Sequence, residues 1–177
     1  MSYSRRLFLG MILAAMPAMA VAVSPKELKM KQYTVEKLSF EAPAAGVKVV
    51  EAGNHVFNVE LADPATPDTA GAWFTFYFPS AEALSAQPDP LAAFKASYLG
   101  SAKPAEKQVS RDFFGKSVSG DWQQTKIPKK LVLEAYRVEA AAGLTVMVGL
   151  RRQQTFDEAA AEAFFKGVIA SLKVSTP

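Results

Sequence analysis

His55 is the only histidine among the 177 residues, so proton transfer near neutral pH, or ligation of a metal by imidazole, would have to begin there. It follows Gly53-Asn54 at the start of a predicted strand, the setting of a turn or surface residue. A serine triad would need this histidine, and the chain has no Gly-x-Ser-x-Gly elbow to present the serine. Zinc sites draw on clusters of histidine and cysteine, and the chain has no cysteine. Thiol nucleophiles, haem attachment and iron–sulfur clusters are excluded for the same reason. Neither a Gly-x-x-x-x-Gly-Lys phosphate loop nor a Gly-x-Gly-x-x-Gly turn occurs. Three carboxylate settings remain: Glu158 with Glu162 one helical turn on, Asp112 beside Arg111, and Asp121 beside Trp122. All three read as solvated charges on a helix face or near turns. The expectation is a protein that is not an enzyme and has no cofactor or metal.

Two constellations suit binding. Lys126, Lys129 and Lys130 precede a predicted hairpin and Arg151-Arg152 follow it, which puts them at one end of an antiparallel pair. Lys129, Lys130, Arg151 and Arg152 could dock an acidic protein patch or anionic lipid head groups. The alternative is a basic edge that discourages strand addition. Trp73, Tyr77, Tyr136 and Met147 could line an apolar pocket beneath a helix at residues 89–99. The alternative here is a filled core, with Leu91, Phe94 and Tyr98 of that helix occupying the space.

The elements that must position these residues follow from periodicity. Residues 37–42 alternate apolar and polar and stop at Pro43; residues 56–61 alternate with Phe57, Val59 and Leu61 inward. Residues 62–72, rich in Pro, Asp and Thr, read as a loop, and residues 73–78 as an aromatic strand closed by Pro79. Asp89-Pro90 is an N-cap followed by a first helical residue, and Gly100 a helix stop. Residues 109–114 and 116–122 form short strands around Gly115, and residues 131–138 and 144–150 a strand pair joined at 140–143. Thr155-Phe156-Asp157-Glu158 reads as a capping box for a last helix ending near Leu172, with Phe165, Val168, Ile169 and Leu172 as its stripe.

Strands, a helix, more strands and a second helix predict an α+β fold, a mainly antiparallel sheet with amphipathic helices packed on both faces. Phe57, Phe76, Leu133, Val146 and Val148 are expected on one face, and Trp73, Tyr77, Val132, Tyr136 and Met147 on the other.

The first residues address the chain. Ser4-Arg5-Arg6-Leu7-Phe8-Leu9 resembles the twin-arginine export consensus, with Gly10 where that consensus has lysine. The apolar run that follows is shorter than the roughly 20 residues of a membrane span. Ala18-Met19-Ala20 is a cleavage pattern and Ala20-Val21-Ala22 the alternative, while the general export route remains the alternative to the twin-arginine one. The expected organisation is a signal peptide at 1–20, a flexible lead-in at 21–32 and a single domain at 33–177, delivered to the bacterial periplasm or beyond. Arg5 and Arg6 supply two of the three net positive charges, so the remaining chain is near neutral and lacks the electrostatic footprint of a nucleic-acid binder. Roughly 157 residues are left, enough to bury about 70% of the unfolded surface in one core without disulfides.

Phe76-Tyr77-Phe78-Pro79 before a helix, then Phe114-Gly115-Lys116 with Gly120, a long hairpin and a closing Ile169-Ala170-Ser171-Leu172-Lys173-Val174 together resemble the PsbP-like and DcrB-like group. That resemblance implies an antiparallel sheet between helices in an exported, non-enzymatic accessory or assembly protein that binds another envelope protein. A different reading of the same chain is a carrier or sensor of a small apolar or lipidic ligand held between sheet and helix.

Overall fold

Strands dominate the computed structural model, which describes residues 29–101, 103–126 and 130–175. Seven of them make one antiparallel sheet: β3 (Val47–Gly53), β4 (Val56–Asp63), β5 (Thr66–Tyr77), β6 (Lys107–Phe113), β7 (Lys116–Gln124), β8 (Leu131–Ala141) and β9 (Leu144–Gln153). Their spatial order is β3-β4-β5-β9-β8-β7-β6. A small sheet holds β1 (Met30–Val35), β2 (Leu38–Pro43) and β10 (Lys173–Val174), with β2 in the middle. Helix α1 (Ala81–Ala86) and helix α2 (Pro90–Phe94) follow β5, and α2 runs on as a π-helical segment, Lys95–Leu99. The long helix α3 (Glu158–Ser171) precedes β10. The fold is α+β and mostly antiparallel sheet.

Side-chain alternation along β8 sorts the interior. Tyr136 and Val138 join Phe40, Phe74, Phe76, Val148, Phe164, Phe165 and Val168 in one core, so α3 and the small sheet close over this side of the large sheet. Leu133 and Ala135 belong to a second cluster with Phe94, Leu99 and Met147, packed by α2 and the π-helical segment. Tyr136 lies opposite Val148, and Val148 opposite Phe76. Tyr136 and Val132 therefore share a face with Phe76, while Leu133 sits with Trp73 and Met147. This corrects the expected placement of Leu133, Val132 and Tyr136. The physical reason is that β8 is buried on both sides, which erases the alternation that would reveal its faces.

Four further expectations are corrected. Residues 62–72 are not a loop, because β4 runs to Asp63 and β5 begins at Thr66. This extension pairs through irregular register at Leu61, Ala62 and Asp63 and is largely exposed, so its composition is polar. Met30–Gln32, assigned to the lead-in, already pair with Pro43–Glu41 as strand. The N-cap of α3 is Asp157, whose Oδ1 accepts from the Ala160 amide at 2.7 Å, rather than Thr155. The helix expected at 89–99 is α-helical only to Phe94, although Asp89 caps it as expected, its Oδ1 accepting from the Ala92 amide at 2.9 Å.

Candidate functional site

Arg111 on β6 donates to carboxylates on two other elements. Its Nε and Nη2 reach Glu134 of β8 at 2.6 and 2.9 Å, and its Nη1 and Nη2 reach Glu162 of α3 at 3.0 and 2.6 Å. Tyr136 Oη donates to Glu134 at 2.6 Å. Burial works against the Arg111 charge, but the two carboxylates more than offset it and its pKa is raised. Hydrogen bonding from Arg111 holds Glu162 below the usual carboxylate range in spite of burial. Glu162 is thus a fixed partner and not the solvated charge expected. Asp121 is another correction: it pairs with Lys95, which is only 5% exposed, and accepts from Gln108 at 2.8 Å. Burial raises the Asp121 pKa, and the bonds from Lys95 and Gln108 outweigh it and bring it down. Asp112 is exposed. These pairs tie helix to sheet, and their donors and acceptors are spent on one another.

The expected basic rim is divided. Arg151 and Arg152, being consecutive in β9, point to opposite faces. Arg152 pairs with Glu158 at 2.9 Å on the α3 side. Arg151 lies over the Trp73 ring at 5.2 Å and is largely buried, which lowers its pKa against the pull of Glu60. Lys126 and Lys130 are exposed, and Lys129 lies outside the described residues, as does the whole segment expected to act as an export signal. The four expected pocket residues are likewise split. Tyr77 and Met147 line a cleft of ≈ 170 Å³ with Phe94 and Tyr98 between α1 and α2. Trp73 stands apart under Arg151, and Tyr136 is fully buried on the α3 side. Phe94 and Leu99, 1% and 2% exposed, fill most of the space beneath their helix.

Two larger clefts were not foreseen. One, of ≈ 330 Å³, runs along α3 between Ala160, Ala163, Phe164 and Gly167 and the strand residues Met30, Pro43 and Leu61. Glu41 is its one ionisable lining residue. Ala160, Ala163 and Gly167 recur at helical spacing, which is the sequence signal that marks this open flank. The other cleft, of ≈ 320 Å³, gathers four chain turns at one end of the large sheet. Glu36 and Lys37 come from the β1–β2 turn, His55 from the β3–β4 turn, Phe78–Ala81 and Leu84 from the entry to α1, and Gly143–Thr145 from the β8–β9 turn. His55 Nδ1 and Glu36 Oε1 are 2.8 Å apart.

No family model and no curated protein matches the chain. Among solved structures it is similar to PA94 of Pseudomonas aeruginosa, a protein of unknown function, at 17% identity over 77% of this chain and 91% of that one. The TM-score of 0.37 is too low for that likeness to carry an argument. Among the described residues, no helix is long and apolar enough to cross a membrane.

Proposed function

We propose that the chain is an exported, non-catalytic accessory protein of the PsbP-like and DcrB-like kind, and that it binds another envelope protein along α3. A sandwich of this kind layers helices on both faces of its sheet, and the packing of α3 on one side and α2 on the other supports that reading. The observation that carries the function is the α3 cleft. Small-molecule sites combine apolar walls with a few placed polar groups that fix the ligand's orientation. This cleft is apolar along its length and offers only Glu41, so it suits inserted apolar side chains of a protein partner.

The cleft at Tyr77, Phe94, Tyr98 and Met147 favours the second reading, a carrier or sensor of a small apolar ligand. Its ≈ 170 Å³ falls short of the roughly 300–1,000 Å³ of typical ligand pockets, which ranks it second.

A photo-crosslinking residue at Ala160, used in native periplasm, tests the first reading. One discrete protein adduct is expected, reduced at least tenfold by Ala163→Asp, an exposed change whose cost to stability is the loss of helix propensity, about 0.5–1 kcal/mol. An adduct indifferent to Ala163→Asp would remove α3 as the docking face. Recovery of only a solvent-extractable small molecule would favour the second reading.

A further inference from the structure

The cleft formed by the four turns differs from the α3 cleft in carrying placed polar groups on an apolar wall, the pattern of a small-ligand site. Phe78, Leu84 and Leu144 supply the wall. Among the described residues, three of the four non-glycine positions with left-handed backbone lie in its turns: Glu36 at φ 47°, Asn54 at φ 52° and His55 at φ 61°. Two consecutive positive φ angles at Asn54-His55, between the paired residues Gly53 and Val56, are the pattern of a type I′ turn, whose second position favours glycine. The chain places a histidine there and a glutamate in the same conformation on the facing turn, and the two meet at 2.8 Å. Left-handed backbone at ordinary residues costs of order 1–3 kcal/mol, and such residues concentrate at ligand sites.

Glu36 orients the imidazole by taking Nδ1, which leaves Nε2 as the ring's remaining polar atom. Glu36, Lys37 and His55 are the ionisable residues lining the cleft; the α1 entry and the β8–β9 turn contribute none, and Glu82 of α1 does not line it. With a neutral His55 the Glu36 and Lys37 charges offset each other; a proton on His55 pairs it with Glu36 and leaves the Lys37 charge uncompensated at the mouth. We infer that this cleft binds a small amphipathic carboxylate, its apolar chain against Phe78, Leu84 and Leu144 and its head group at Lys37 and His55. The site is separate from the α3 cleft and does not depend on the protein-binding reading.

Decanoate is a suitable probe, titrated calorimetrically into the signal-free chain. It is ionised across about pH 6–8, a range in which histidine changes charge, so a pH response reports the protein. One saturable site is expected, about tenfold tighter at the acidic end, where the proton on His55 offsets Glu36 and leaves the cleft with a net positive charge. Lys37→Ala should weaken binding several-fold at both ends of the range. His55→Asn keeps a residue that tolerates left-handed backbone and should abolish the pH response at an unchanged melting temperature. Leu144→Asp should eliminate binding, whereas Ala163→Asp in the α3 cleft should leave it intact. Decanol binding as tightly as decanoate, a pH response that survives His55→Asn, or no saturable binding would overturn the assignment. So would anionic phospholipid vesicles that bind with the same Lys37 and His55 dependence while free decanoate does not, since that would make the surface a membrane contact.

Discussion

Arg111 and Arg151 are both largely buried on the seven-stranded sheet, one on the α3 side and the other on the side of α2, and their surroundings differ. Arg111 makes four hydrogen bonds to Glu134 and Glu162, and Tyr136 completes the set. Arg151 reaches Asn58 Oδ1 at 3.5 Å and stacks on Trp73, while its buried Nε has no hydrogen-bond partner among the described residues. Gln123, 2% exposed and on the same face, likewise leaves both amide atoms without partners there. The α3 side commits its buried charge to holding a helix on a sheet. On the opposite side Lys95 and Asp121 tie the π-helical segment to β7, whereas Arg151 and Gln123 lie buried without a closed set of partners among the described residues.

The strongest way to break the comparison is to remove Arg111. Deleting one member of a buried charge set strands its partners, which costs about 3–5 kcal/mol. Arg111→Met is therefore expected to lose about that much in urea unfolding, a large share of a total near 5–15 kcal/mol. A loss below about 1 kcal/mol would show that the network is solvated rather than structural. Acid titration provides a second readout with a definite sign. The Glu162 carboxyl is held below its usual range in the folded protein, so the unfolded state takes up protons first as pH falls. Its contribution is complete above the ordinary carboxylate range and disappears as pH drops through the depressed value. Arg111→Met should flatten that part of the profile.

Glycines under the two sides sharpen the contrast. A Cβ at Gly120 would overlap the Tyr136 ring and the Ala135 carbonyl, and Tyr136 is fixed by its bond to Glu134. At Gly149 the obstacles are side-chain ends, Leu99 and the edge of the Phe94 ring, with no backbone atom among them. Gly120→Ala should cost about 1–3 kcal/mol and Gly149→Ala distinctly less, read as a difference in denaturation midpoint. Equal losses would mean that the two sides are packed with the same rigidity.

This asymmetry also explains what the sequence revealed. The β8–β9 pair, the apolar stripe of α3 and the Asp89 cap were legible because each depends on neighbours within a turn or a strand. Arg111 meets Glu134 and Glu162 across 23 and 51 residues, so no local spacing announces the network. Glu162 looked solvated because one helical turn of sequence does not show what faces it. Strand β3 escaped notice, with its Val47 and Val49 inward and its other residues exposed. His55 was legible as a turn residue, but not its partner Glu36, because nothing in the sequence brings two separate hairpin turns together.

Arg151 gives the smallest expected effect. Arg151→Leu forfeits a stacking contact over Trp73, worth about 0.5–1 kcal/mol at an accessible site and more when desolvated, together with a long bond to Asn58. Against that, it removes a buried donor whose desolvation is uncompensated among the described residues, a cost of about 1–3 kcal/mol, and leaves an apolar side chain beside Leu133. The two contributions nearly cancel, so unfolding free energy should move by no more than about 1 kcal/mol in either direction. Both Arg→apolar changes are made on the same sheet, and the expected gap between them is several-fold. If Arg151→Leu instead cost as much as Arg111→Met, Arg151 would be engaged by a full set of acceptors, and the two arginines would be held alike.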